Sequence, residues 1–144
     1  MADEFNLDRF KQAQAHDYGQ ALSELRAGRK RTHWIWYVFP QIDGLGRSST
    51  ARFYAISGMA EARAYLADPA LGARLLECTN ALLALETSDP STVMGYPDDL
   101  KLCSSLTLFE AAGDGDPKWR PFTLALEKFY GGKRDRRTLE LLQR

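Results

Sequence analysis

The dipeptide Asp-Pro occurs three times in the chain, at Asp68-Pro69, Asp89-Pro90 and Asp116-Pro117, and helix-like sequence follows each one. The pair is a helix start. The carboxylate accepts from the free amides of the first turn, and proline at the first helical position gives up a hydrogen bond that would not form there anyway. After Asp68, Leu71, Leu75, Leu76, Leu82 and Leu83 make a broad apolar stripe that reads as the longest core helix. After Asp116, Trp119, Phe122, Leu126, Phe129 and Tyr130 make another, with Pro121 tolerated in the first turn and Gly131-Gly132 as its stop.

The remaining segments carry the same period. Leu7 and Phe10 lie three apart, and Tyr18, Ala21, Leu22 and Leu25 mark a second helix that Gly28 ends. Met59, Ala62, Tyr65 and Leu66 predict a helix over 59–67. Asp98 or Asp99 opens another through Leu102, Cys103, Leu106 and Phe109, and residues 133–144 form a short docked helix. Six to eight helices of unequal length without heptads predict an all-α, irregular multihelical bundle, a single globular domain spanning residues 1–144. A chain of 144 residues is long enough to bury roughly two-thirds of its unfolded surface in one core.

Nineteen basic residues balance nineteen acidic ones. Nucleic acid is therefore an unlikely partner on charge grounds, since that affinity rests on many phosphate contacts. Cys78 and Cys103 lie in apolar periodic segments without C-x-x-C or histidine spacing, so neither a metal site nor a disulfide is expected, and no cofactor is implied. No run of about 18 apolar residues is present, which argues against a membrane span. The acidic start, Met1-Ala2-Asp3-Glu4-Phe5, does not resemble a secretory leader, and a cytoplasmic location is expected.

Chemistry concentrates in one stretch, residues 29–49, where basic residues precede an aromatic run and a glycine loop. From Arg26 to Arg52 there are six basic residues and one acidic, Asp43. An anion is the natural ligand. Arg29, Lys30 and Arg47 are candidates to hold it. Gly44 and Gly46 let the loop present amides to a phosphate or carboxylate, and a helix beginning near Ser48 would aim its positive end at the same place. The competing account of the glycines is a plain turn. Thr32 is placed as the cap of a helix over 33–39, chosen over a buried strand, and Pro40 ends it. Trp34 or Trp36 can stack on a base or sugar ring, although such aromatics also build cores. Gln41 belongs to the same ligand-binding set. His33 is the one candidate catalytic residue, a proton carrier whose ordinary pKa lies near neutrality, with no readable triad beside it. Lys101 and Ser105 share a helix face that can meet the Arg29 region across the core, while Asp98 and Asp99 read as helix caps.

The segment from Gly28 to Ile42, containing His33-Trp34-Ile35-Trp36, together with Gly44-Leu45-Gly46, resembles the signature of an uncharacterised family, domain of unknown function 1810. The likeness continues through Arg52-Phe53-Tyr54-Ala55-Ile56, Glu61-Ala62-Arg63-Ala64-Tyr65-Leu66, Leu71-Gly72 and the run from Asp99 to Phe109, and so covers nearly the whole chain. In that pattern methionine is common where this chain has Ile35 and Leu106. The resemblance implies a compact multihelical fold and supplies neither an activity nor catalytic residues.

Two readings follow. One is a binder of, or enzyme acting on, a phosphorylated or nucleotide-like small molecule, which predicts a concave pocket holding His33 with Lys101 or Ser105. The other is a non-catalytic protein-interaction module using the same basic and aromatic surface, which predicts an open patch.

Overall fold

The computed structural model describes residues 3–144. Their helices, in chain order, are α1 (Asp8–Ala27), α2 (Ile35–Val38), α3 (Ser49–Phe53), α4 (Met59–Ala67), α5 (Pro69–Leu83), α6 (Pro90–Met94), α7 (Asp98–Gly113), α8 (Arg120–Tyr130) and α9 (Arg136–Leu141), with a 3-10 turn at Pro117–Trp119. The fold is all-α. The count exceeds the expected six to eight because α2, α3 and α6 are only four or five residues long, too short to show a helical period.

All three Asp-Pro pairs start helical turns. Asp68 accepts from Ala70 and Leu71 N–H at 3.0 and 3.1 Å, Asp89 from Ser91 N–H at 3.0 Å, and Asp116 from Lys118 N–H at 3.0 Å. Gly28, at φ 80°, ends α1 in the left-handed conformation. The two early helical segments are instead one helix of 20 residues. No proline interrupts it, and Gly19 lies in its interior with open space around it. At 15 residues, α5 is shorter than both α1 and the 16-residue α7. The length of α7 is masked in the sequence by hydroxyl residues, because the helix is buried on every side from Ser104 to Phe109. Thr107 returns its hydroxyl to the Cys103 carbonyl at 2.8 Å, and Ser104 lies within reach of both the Leu100 carbonyl and the Asp135 carboxylate, so these hydroxyls enter the core satisfied.

Helix α7 packs against α8, α4, α6, α9 and α2, and α5 lies between α1 and α8. Phe10, Trp34, Tyr65, Phe109 and Phe122 are among the largest fully buried side chains. The strand rejected for the aromatic run is absent among the described residues. A single parallel bridge, Ile42 with Ile56, closes the ends of the glycine loop and α3 through hydrogen bonds of 2.8 and 2.9 Å. The α4–α5 corner is tight. A Cβ on Gly72 would lie 2.3 Å from the Leu66 carbonyl oxygen and 3.2 Å from the Trp119 ring. Gly72→Ala is therefore expected to cost about 2 kcal/mol or more through overpacking, measured as a lowered urea midpoint with an unchanged slope.

Candidate functional site

The basic-aromatic stretch is shaped by a residue outside it. Glu24, in the last turn of α1, is 4% exposed. Its carboxylate accepts from Arg31 N–H at 2.7 Å, Thr32 N–H at 3.0 Å, the Thr32 hydroxyl at 2.7 Å, the Trp34 indole N–H at 2.9 Å and the Gln20 amide at 2.8 Å. Burial by itself would raise its pKa. The hydrogen bonds from Arg31, Gln20, Thr32 and Trp34 outweigh burial and hold the carboxyl well below the usual carboxylate range. Thr32 thus binds Glu24 and does not cap the next helix, which begins only at Ile35 and has no side-chain cap.

Holding the stretch this way separates the two tryptophans. Trp34 is 1% exposed, so it is a core residue and offers no face to a ligand. Lys30 lies over its ring at 5.1 Å and pairs with Asp98 at 2.8 Å. Trp36 remains half-buried. Lys101 lies 5.7 Å from its ring centre and 3.6 Å from the other oxygen of Asp98. Asp98 therefore joins the two lysines instead of capping α7; Asp99 accepts from Leu100 N–H at 2.9 Å.

Trp36 walls two clefts. The first is a slot of about 10 Å³ lined by Gln41, Ile42, Gly46, Ala51, Tyr54 and Ala55, enough for about one water. The second is an open groove of about 510 Å³ bounded by Tyr37, Ser49, Thr50, Phe53 and Tyr54. Tyr54 packs against Phe53, Tyr37 and Phe10 at 4.8, 5.2 and 5.8 Å. Arg9 fixes this wall from behind. Its buried guanidinium donates to the Phe53 and Ala55 carbonyls at 2.8 and 3.0 Å and pairs with Glu61 at 2.8 Å, while Glu61 accepts from Ser57 N–H.

The other predicted residues are dispersed. Arg29 and Lys30 line a separate cleft of about 470 Å³ with Ser91, Thr92 and Val93. His33 is exposed; with Lys101 and Ser105 it lines none of five clefts found among the described residues, so none of these is the expected pocket joining them. Ser105 is wholly buried and its hydroxyl has no hydrogen-bond partner among the described residues. Ser48 caps α3 by accepting from Ala51 N–H at 3.1 Å. Gly44 and Gly46 are both exposed; a Cβ on Gly46 would lie 2.5 Å from Ala51 Cβ, and one on Gly44 3.1 Å from Leu141 Cδ2, so contacts with neighbouring side chains already account for their small size. Arg47 is exposed. Among the described residues no cluster of three or more His, Cys, Asp or Glu is arranged to hold a metal.

Residues 4–142 match the family described as protein of unknown function (DUF1810). The chain belongs to the DUF1810 family. It is also similar to the conserved hypothetical protein Rv1873 from Mycobacterium tuberculosis, whose crystal structure shares 50% identity and a TM-score of 0.94 over 99% of both chains. No curated protein matches it. For this DUF1810 chain, sequence reasoning missed Glu24, Arg9, Thr50, Phe53 and Tyr54 as residues that shape or line the site. Phe53 and Tyr54 stood within the family likeness, whereas Glu24 and Arg9 carried no local signal.

Two expectations follow. Glu24→Gln should destabilise the fold by about 2 kcal/mol at neutral pH by turning an acceptor into a partial donor. A depressed folded pKa contributes stability above the unfolded value that is lost on acidification, so the difference between the two proteins should shrink below about pH 4 in urea melts. Asp98→Asn should cost about 3 kcal/mol because it strands the buried Lys30 ammonium, whereas Lys101→Met, at a more exposed and longer contact, should cost under about 1 kcal/mol in the same melts.

Proposed function

We propose that the chain binds a phosphorylated, nucleotide-like small molecule at the Trp36 groove. One observation carries this reading: the half-exposed Trp36 ring is the shared wall of slot and groove, and the Lys101 ammonium lies 5.7 Å from it. A flat ring stacks on such an indole. Ser49 and Thr50 line the groove with side chains that suit a sugar, and Lys101, beside the ring, supplies positive charge for an anion. Asp98 neutralises only one of the two lysines it touches, which leaves net positive charge beside the ring. Binding rather than turnover is the supported activity, because His33 lines neither cleft. The two free cysteines fit a cytoplasmic protein.

The groove's openness and Phe53, 56% exposed, favour a second reading, a protein-interaction surface that takes an aromatic or aliphatic anchor from a partner.

Tryptophan-fluorescence and thermal-shift titrations with nucleoside monophosphates, sugar phosphates and inorganic phosphate test the ligand reading. A bound ligand at a hundredfold excess over its dissociation constant should stabilise the fold by about 2.7 kcal/mol. Trp36→Ala should abolish that shift, and Lys101→Ala should weaken binding about tenfold, a loss of about 1.4 kcal/mol. No shift with any of these ligands, or a shift indifferent to Trp36→Ala, removes the reading and leaves the interaction surface.

A further inference from the structure

One cleft takes no part in the reading above. It has a volume of about 400 Å³ and opens between the end of α7 and the start of α8, where Glu110, Asp116, Trp119, Arg120 and Thr123 line it. A neighbouring cleft of about 280 Å³ shares two of these walls, Asp116 and Trp119. The indole between them is held from several sides. A Cβ on Gly113 would lie 2.8 Å from Trp119 Cβ, one on Gly72 would lie 3.2 Å from its Cη2, and the ring stacks on Phe122 at 5.8 Å with the planes 4° apart. Two residues without side chains thus seat an aromatic ring that stays only half-buried. Lys118, which is exposed, places its ammonium 4.9 Å from the ring centre.

The charges along the larger cleft divide into one that is neutralised and two that are not. Arg134 donates to the Glu110 carboxylate through Nε at 2.9 Å and Nη2 at 2.5 Å, and the Thr123 hydroxyl donates to it at 2.7 Å. Asp116 accepts from Lys118 N–H with Oδ1 at 3.0 Å, but neither its Oδ2 nor the Arg120 guanidinium has a hydrogen-bond or ion-pair partner among the described residues. The 3-10 turn at Pro117–Trp119 sets these opposite charges on the walls of the same cleft, and they do not pair with each other. A phosphate suits this place poorly, because Asp116 would repel it. A molecule with one positive and one negative group satisfies both walls at once. We propose that the cleft binds a free α-amino acid with an aromatic or large aliphatic side chain. The guanidinium of Arg120 takes the carboxylate, for which its planar fork is suited. Asp116 takes the ammonium, and the side chain lies against Trp119. The volume is within the range of about 300–1,000 Å³ common for small-molecule sites. This site is separate from the Trp36 groove and does not depend on the reading given for it.

The test is an NMR titration of the nitrogen-labelled full chain, following the Trp119 indole N–H, with L-phenylalanine and two analogues that each lack one charge, phenylacetate and phenethylamine. Wild type should bind L-phenylalanine at least about tenfold more tightly than either analogue, since each loses a charge-assisted contact. Arg120→Gln should weaken L-phenylalanine to the level of phenethylamine and leave phenethylamine unchanged. Asp116→Asn, which keeps a side chain able to cap the turn, should weaken L-phenylalanine without weakening phenylacetate. Arg120 is exposed, so Arg120→Gln should melt within a degree or two of wild type. Trp36→Ala should bind L-phenylalanine as wild type does. Binding of none of the three compounds overturns the proposal, and so does equal binding of all three. Selective binding that survives both Arg120→Gln and Asp116→Asn, or that disappears in Trp36→Ala, would place the amino acid elsewhere and overturn it as well.

Discussion

A single buried carboxylate organises the part of the molecule where charge and aromatic surface meet. Glu24 receives five hydrogen bonds, four of them from residues 31–34, and none comes from a charged side chain. An ionised group in the interior is costly unless its lone pairs are filled. The loop that fills them cannot lift away without leaving that charge unsatisfied, so the path from Arg29 to Trp34 is tied to the end of α1. Trp34, just before α2, is drawn inward to Glu24, whereas Trp36, within α2, stays only partly buried.

Electrostatics then separates two lysines that look equivalent in the sequence. Both touch Asp98, yet Lys30 is 6% exposed and lies at 2.8 Å, while Lys101 is 30% exposed and lies at 3.6 Å. The first is a structural cation that ties the end of α1 to the start of α7. The second keeps more of its charge available to solvent, beside the outward tryptophan. Behind them, the Arg9–Glu61 pair fixes the carbonyls of Phe53 and Ala55. The groove wall is thus held by a buried network, although α3 itself has only five residues.

Within the candidate site, the sequence was legible in composition and illegible in direction. Trp36, Gln41 and Gly46 do come together, lining one slot. Trp34, with the same side chain two positions earlier, does not, because its indole N–H is bound inside the core. The Gly44 turn looked like a phosphate loop and is the seat of the C-terminal tail, a contact between positions 101 residues apart that no local pattern encodes. Ser105 was read on a face shared with Lys101, but the face turns into the core one helical turn further on.

The chain by itself determined the starts of α5, α6 and the 3-10 turn before α8, and the ends of α1 and α8. Asp68, Asp89 and Asp116 bind amides two or three positions ahead, and Gly28 and Gly131 take left-handed backbone angles, so each signal acts within a turn of its own residue. Only the tertiary structure decided which tryptophan meets solvent, which lysine is neutralised and which arginine lies over the glycine loop. Those outcomes depend on contacts between residues tens of positions apart, such as Lys30 with Asp98 and Asp43 with Arg144. They are settled by how the helices pack, which short-range spacing does not specify.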